Sequence, residues 1–326
     1  MLNESKLRKE PQYPVEVNAP RYLSHSSASI FFECGEQYRL RRLYRFPETH
    51  TWFSTLAGRA LHEATEAIDR DEFAGMEPEF ALMMHRDSFA EKFQAEIARE
   101  RAAGIEVKAS GNKRVTLSEA GGPDKRDEGW WMHFAPLFLD KWQAWKAQSG
   151  LSLATDDDGN PGIELDLHCE VEGVTLTGMI DRLYVDKFGQ YTVLDIKTGM
   201  APGSNFQPLL YALLCREALG VTPAFCNYWR PMGKLRNASG DLEESTTGAL
   251  SRTVEVTERD LEAVLHAYKL AYRAIESGMF IPNPDGADCR NCSVSELCRY
   301  QSGSLAWQVP GVSEVIPRHT DLTPSA

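Results

Sequence analysis

The sequence predicts an α/β fold in which a helical N-terminal half leads into a β-rich centre and a cysteine-rich end. Three observations carry that expectation. Apolar residues recur at helical spacing in successive segments before residue 150. At Gly162 the period changes to that of a strand. Beyond three β-rich runs, a helix, a further strand and another helix follow before the clustered cysteines.

The elements follow in order. Ser29 to about Arg45 mixes apolar and basic residues at helical spacing, and after the Pro47 break TWFSTLAGRALHEATEAID resumes the period, with Leu56, Ala60, Leu61, Ala64 and Ile68 on one side. Helices are also predicted from about Pro78 to Ala103 and from Glu128 to Ala147, where Trp130, Trp131, Trp142 and Trp145 read as core. The Gly- and charge-rich stretch between those two helices reads as an exposed loop. IELDLHCEV, GVTLTGMIDRLYVD and QYTVLDIKTG are strands, the last two a hairpin turning around Lys187, Phe188 and Gly189. A helix over 206–219, a strand in PAFCNYWRP and a weaker one at SRTVEVT come next. Thr257 and Asp260 then form a capping signal for a helix to about Ser277.

This gives a polar tail over 1–20, one domain over 21–300 and an extension over 301–326. The domain comprises a helical part (21–150), a β-rich core (160–256) and a helix with the cysteine segment (257–300).

The 326 residues, 42% of them hydrophobic, suffice for a core without covalent staples. No apolar run approaches the roughly 20 residues of a membrane span, and the polar N-terminus lacks a secretory stretch, so a cytoplasmic protein without membrane contact is expected. A net charge of -12 argues against nucleic-acid binding through overall charge, though a local basic groove remains compatible with it. Seven cysteines, an odd number, point to thiolate ligation rather than to a disulfide framework.

The hairpin concentrates the chemistry. A turn centred on Phe188 sets Asp181 opposite Asp195, roughly 5 Å apart across the strands. Lys197, two residues beyond Asp195, projects to the same side. Two carboxylates suit a hard cation such as Mg²⁺ or Mn²⁺, and a lysine beside them suits orienting water or steadying negative charge at phosphorus. Taken alone, the same three residues also describe an ordinary solvated hairpin.

Gly-Met-Ile-Asp over 178–181, Leu-Asp-Ile-Lys-Thr-Gly over 194–199 and Gln-Pro-Leu-Leu-Tyr over 207–211 resemble the successive motifs of the RecB-type PD-(D/E)xK nucleases. GRALHEATE, with His62, resembles the helix motif that precedes them. The resemblance covers about residues 24–300. It implies a restriction-endonuclease-like core, a central mixed sheet flanked by helices. It further implies that His62, Asp181, Asp195 and the carbonyl of Ile196 ligate metal, that Lys197 is the catalytic lysine, and that Gln207 and Tyr211 lie near the site. Glu164 corresponds to an acidic residue often found on the first strand. Neither the H-E-x-x-H nor the H-x-E zinc pattern is completed around His62.

Cys289, Cys292 and Cys298 form a dense thiol group for which Cys34 is the natural fourth ligand. One cysteine before the core and three after it is the arrangement of AddB-type and CRISPR-associated nucleases, and by that resemblance the four hold a 4Fe-4S cluster. Zinc, held by four cysteines or by three with His25, is the alternative. Cys169, Cys215 and Cys226 read as small buried hydrophobes.

YRLRRLYRF offers Arg39, Arg41, Arg42 and Arg45 to phosphates, with Tyr38, Tyr44 and Phe46 as stacking rings for a single strand. No phosphate-binding G-x-x-x-x-G-K-[ST] loop occurs, so unwinding would come from a helicase or recombination partner. The leading expectation is a metal-dependent exonuclease acting on single-stranded DNA or duplex ends. A structure-specific endonuclease and a non-catalytic DNA-binding adaptor of a recombination or CRISPR-adaptation complex are the alternatives.

Overall fold

Seven α-helices are formed: α1 (His25–Glu33), α2 (Gly35–Tyr38), α3 (Phe53–Phe73), α4 (Pro78–Ala102), α5 (Glu128–Ser149), α6 (Phe206–Leu219) and α7 (Glu258–Glu276) among the described residues. The principal strands are β1 (Ile163–Val171), β2 (Val174–Val185), β3 (Tyr191–Ile196) and β4 (Phe225–Arg230). The computed structural model describes residues 20–46, 48–109, 126–199, 204–232, 234–236, 242–251 and 253–301. The expected tail and C-terminal extension, apart from Pro20 and Gln301, and most of the expected loop before α5 lie outside those residues.

The described residues form two compact units, one within 51–169 and 177–264, the other within 20–50, 170–176 and 265–301. In the first, α3 buries Leu56, Ala57, Ala60, Leu61, Ala64 and Ile68 completely, the stripe that its sequence period predicts. That stripe packs with Phe89 and Phe93 of α4 and Trp131 and Phe138 of α5. Helix α4 opens on Pro78, where a missing N–H costs nothing. Asp127 caps α5 by accepting the Trp130 N–H at 2.9 Å, and Gly150 ends it with a φ of 67°.

Farther along α5, Trp142 and Trp145 pack on Tyr184, Leu194, Ile196 and Trp229, covering one side of the sheet. The sheet is mixed: β2 and β3 are antiparallel, while β3 and β4 are parallel and joined through α6. Strand β1 pairs with β2. The expected strand at SRTVEVT is reduced to Val254–Glu255, which pairs with β4. Helix α6 comes close to β2, since a side-chain carbon added at Gly178 would lie 2.7 Å from Leu214 and 2.9 Å from the Tyr211 ring. Glycine is therefore a packing requirement at this motif position.

In the other unit, Ser24 caps α1 through the Ser27 N–H. The single helix expected over 29–45 is broken at Cys34, whose backbone is extended; α2 follows, and then a wider π-type turn over Arg39–Leu43. The cause is a tertiary contact that local propensity cannot report: the Gly35 N–H donates to the Ile281 carbonyl at 2.9 Å, and a Cβ at Gly35 would lie 2.6 Å from the Ile281 nitrogen. Leu40, Phe46, Val294 and Leu297 form a local core against which Tyr44, Cys292 and Cys298 pack.

Candidate active site and thiol cavity

Strands β2 and β3 pair from Val185 with Tyr191 to Arg182 with Leu194, and every pair straddles Phe188, as the short turn predicts. Beyond the last pair, the Asp181 carboxylate accepts the Ile196 N–H at 2.6 Å, so a side chain occupies the place of a backbone acceptor. Asp195, 1% exposed, meets the Lys197 ammonium at 2.8 Å. Its other oxygen accepts from Gln207 Nε2 at 2.8 Å, and that amide also reaches the Tyr211 hydroxyl at 2.9 Å. Gln207 and Tyr211 lie one turn apart on α6, which explains their common side. The Lys197 ammonium stands 5.9 Å from the centre of the Tyr228 ring.

Helix α3 supplies His62. Its Nε2–H donates to the Ile196 carbonyl at 2.9 Å, and its Nδ1 lies 3.5 Å from Asp181 Oδ2. His62, Glu164 and Asp181 offer ligand atoms within 4.8 Å of one another. Glu164 sits near the start of β1 with a φ of 47°, a left-handed conformation uncommon for any residue but glycine. One of its oxygens lies 3.2 Å from the buried guanidinium of Arg182.

The charges explain the site's electrostatics. Burial raises the pKa of Asp195, Asp181 raises it further, and Lys197 opposes the rise. Burial pushes Glu164 up to about 7, with Asp181 adding to the shift and Arg182 countering it. Carboxylates that resist ionisation when crowded together are relieved by a cation among them. The oxygens of Glu164 and Asp181 with the His62 imidazole fit a hard divalent ion, and the Asp195 carboxylate and the Ile196 carbonyl belong to the same hairpin. In the sequence Glu164 stands out only through its correspondence to the family's first strand, and Arg182 and Asp69 do not stand out. The signals they leave are an arginine inside an apolar strand and an aspartate two helical turns after His62.

In the other unit, Cys34, Cys289, Cys292 and Cys298 line one cavity of about 330 Å³. Burial raises the pKa of Cys292, as do the neighbouring Cys289 and Cys34. Cys298 is pushed up to about 12 by burial, with Glu36, Cys34 and Cys292 adding to it. Thiols so placed ionise when a metal compensates their charge. Cys215 and Cys226 are buried, whereas Cys169 is partly exposed and not the buried hydrophobe expected.

The arginine segment divides. Arg39 is clamped by the buried Glu36 through two contacts of 2.7 Å, and Arg41 pairs with Glu48. Arg42 and Arg45 are exposed. The rings expected between them as a stacking surface turn inward instead: Tyr38 and Phe46 are 2% and 3% exposed. The break at Cys34 and the π-type turn rotate these side chains into the core, where Tyr38 stacks on Phe280.

The hairpin of the mixed sheet thus carries Asp181, Asp195 and Lys197, and His62 of α3 reaches the same hairpin through the Ile196 carbonyl. The chain belongs to the PD-(D/E)XK nuclease superfamily, whose family model matches residues 22–299. It is similar to the Gene 69 protein of Mycobacterium phage D29, 30% identical over 160 residues, which are 49% of this chain and 56% of that protein. The chain thus matches little more than half the length of that relative. It is also similar to the Gene 69 protein of Mycobacterium phage L5, 23% identical over 297 residues, 84% of this chain and 95% of that protein. Among solved structures, a candidate exonuclease of Eubacterium rectale aligns over 94% of both chains with a TM-score of 0.46 at 12% identity. Among the described residues, no helix is long and apolar enough to cross a membrane.

Proposed function

We propose that the protein is a divalent-metal-dependent DNA exonuclease acting on single strands or duplex ends, with a structural 4Fe-4S cluster. The observation that carries the hydrolytic reading is the 2.8 Å meeting of Lys197 with the buried Asp195 beside Asp181, in a chain of a nuclease superfamily. His62, Glu164, Asp181, Asp195 and the Ile196 carbonyl would hold Mg²⁺ or Mn²⁺, which would supply Lewis acidity and neutralise phosphate charge. Asp195 and the Tyr228 ring keep the Lys197 ammonium at the site, where it steadies negative charge developing at phosphorus. Gln207, tied to Tyr211, fixes the Asp195 carboxylate. Exposed Arg42 and Arg45 are the arginines available to the DNA backbone.

The exonuclease form of this reading rests on the resemblance of the four motifs and the cysteine pattern to the RecB-type enzymes. The choice of a cluster over zinc rests on that same resemblance, and the four cysteines lie along one cavity of about 330 Å³, as either metal centre requires. Free thiols are at home in a reducing cytoplasm.

The test uses linear single-stranded, linear duplex and circular single-stranded DNA with Mn²⁺ or Mg²⁺. Linear DNA should be degraded and circles spared; cleaved circles would replace the exonuclease reading with an endonuclease. Lys197→Ala should lower the cleavage rate by about 10²- to 10⁴-fold while DNA binding persists, and Asp195→Ala should behave alike. Binding without cleavage by the unaltered chain would favour the adaptor instead. Protein purified without oxygen should be brown, with broad visible absorbance that Cys289→Ser removes; a colourless, zinc-loaded preparation would overturn the cluster.

A further inference from the structure

We propose that Arg182, clamped against Asp69, is a positioning residue that holds the Glu164 carboxylate in the metal site; the inference rests on the metal-dependent nuclease reading. Arg182 is 0% exposed in the middle of β2, where an unpaired charge would not be tolerated. Its Nε donates to Asp69 Oδ2 at 2.7 Å, and its Nη1 reaches the Asp181 main-chain carbonyl at 2.5 Å and Glu164 Oε1 at 3.2 Å. One planar fork thus touches a metal-site carboxylate, the backbone of a second metal-site residue and an anchoring anion, a task that suits arginine and not lysine.

Asp69 is itself immobilised. It is 1% exposed, and its Oδ1 accepts from Trp142 Nε1 at 3.0 Å and Lys146 Nζ at 2.5 Å, both from α5. Asp69 and His62 lie two turns apart on α3, while Arg182 and Asp181 are neighbours on β2. The pairs Asp69–Arg182 and His62–Asp181 are therefore two ties between the same helix and the same strand, one far more buried than the other. Glu164 has a left-handed backbone conformation that its own preferences do not select, so its surroundings must hold the residue in place. Among the described residues, the hydrogen-bond partner of the Glu164 carboxylate is Arg182.

The experiment measures Mn²⁺ affinity of the full chain by the electron paramagnetic resonance of free Mn²⁺, at a temperature where circular dichroism shows each variant folded. Arg182→Lys keeps the charge and loses the fork; it should weaken Mn²⁺ binding by about 10- to 100-fold, the usual effect of removing a partner of a metal ligand. Because Arg182 acts through Glu164, the double variant with Glu164→Gln should bind no more weakly than Glu164→Gln alone. Should Arg182→Lys fail to fold, Asp69→Asn takes its place with the same expectation. Unchanged affinity in the single variant, or an equal further loss in the Glu164→Gln background, would overturn the inference and leave the nuclease reading intact. An unaltered chain that binds no Mn²⁺ would overturn that reading itself.

Discussion

Glu164 carries a pH signature in the candidate site, one that Asp195 shares in direction. The Glu164 carboxyl titrates near 7 in the folded chain against an ordinary value near 4.5, so without metal the folded state binds a proton that the unfolded state has released. That contribution to stability is complete below the ordinary value and is lost as pH rises through 7. In the presence of a chelator, the melting temperature should rise as pH is lowered from 8 to 6, and Glu164→Gln should flatten that slope by a few degrees. A slope unchanged in Glu164→Gln would show that the proton resides elsewhere. Metal binding requires the ionised carboxylate, so Mn²⁺ affinity should weaken over the same fall in pH. The aspartates and lysine of the hairpin were legible in the sequence because a short turn sets strand register locally. The left-handed backbone at Glu164 was not, because the chain reports no such conformation unless glycine stands there.

At the scale of elements, α6 and β2 are set together by a missing side chain. Gly178→Ala would push its new carbon against Leu214 and Tyr211, the second of which holds Gln207. It should cost about 1–3 kcal/mol of stability, as overpacking a core does. It should also slow cleavage, since Gln207 fixes Asp195; denaturant unfolding and a cleavage assay on the same preparation check both. Most helices were legible because amphipathic stripes and caps are local, as at Thr257 and Asp260, whose side chains meet at 2.6 Å. The break between α1 and α2 was not, because the Gly35–Ile281 contact joins residues remote in sequence. The buried Asp69–Arg182 pair escaped notice for the same reason: an isolated arginine in a strand does not announce the helix that neutralises it.

For the molecule as a whole, the two candidate centres occupy separate compact units, one built of oxygen and nitrogen donors and one of sulfur. Cys34→Ser should therefore abolish the visible absorbance and lower the melting temperature while leaving the Mn²⁺ affinity of the carboxylate site near that of the unaltered chain. A parallel loss of Mn²⁺ binding would mean that the two centres are energetically linked. The sulfur-bearing unit draws on the first and last stretches of the chain, with the carboxylate-bearing unit supplied mostly by what lies between them. During synthesis, the single thiol of α1's end must wait for its three partners until nearly all the remainder has left the ribosome. At ordinary rates of elongation, that delay is on the order of ten to fifty seconds. A nascent chain halted after α7 would carry the candidate catalytic residues with Cys34 still apart from the other three cysteines, so loading of the proposed sulfur centre would come late in the life of each new molecule.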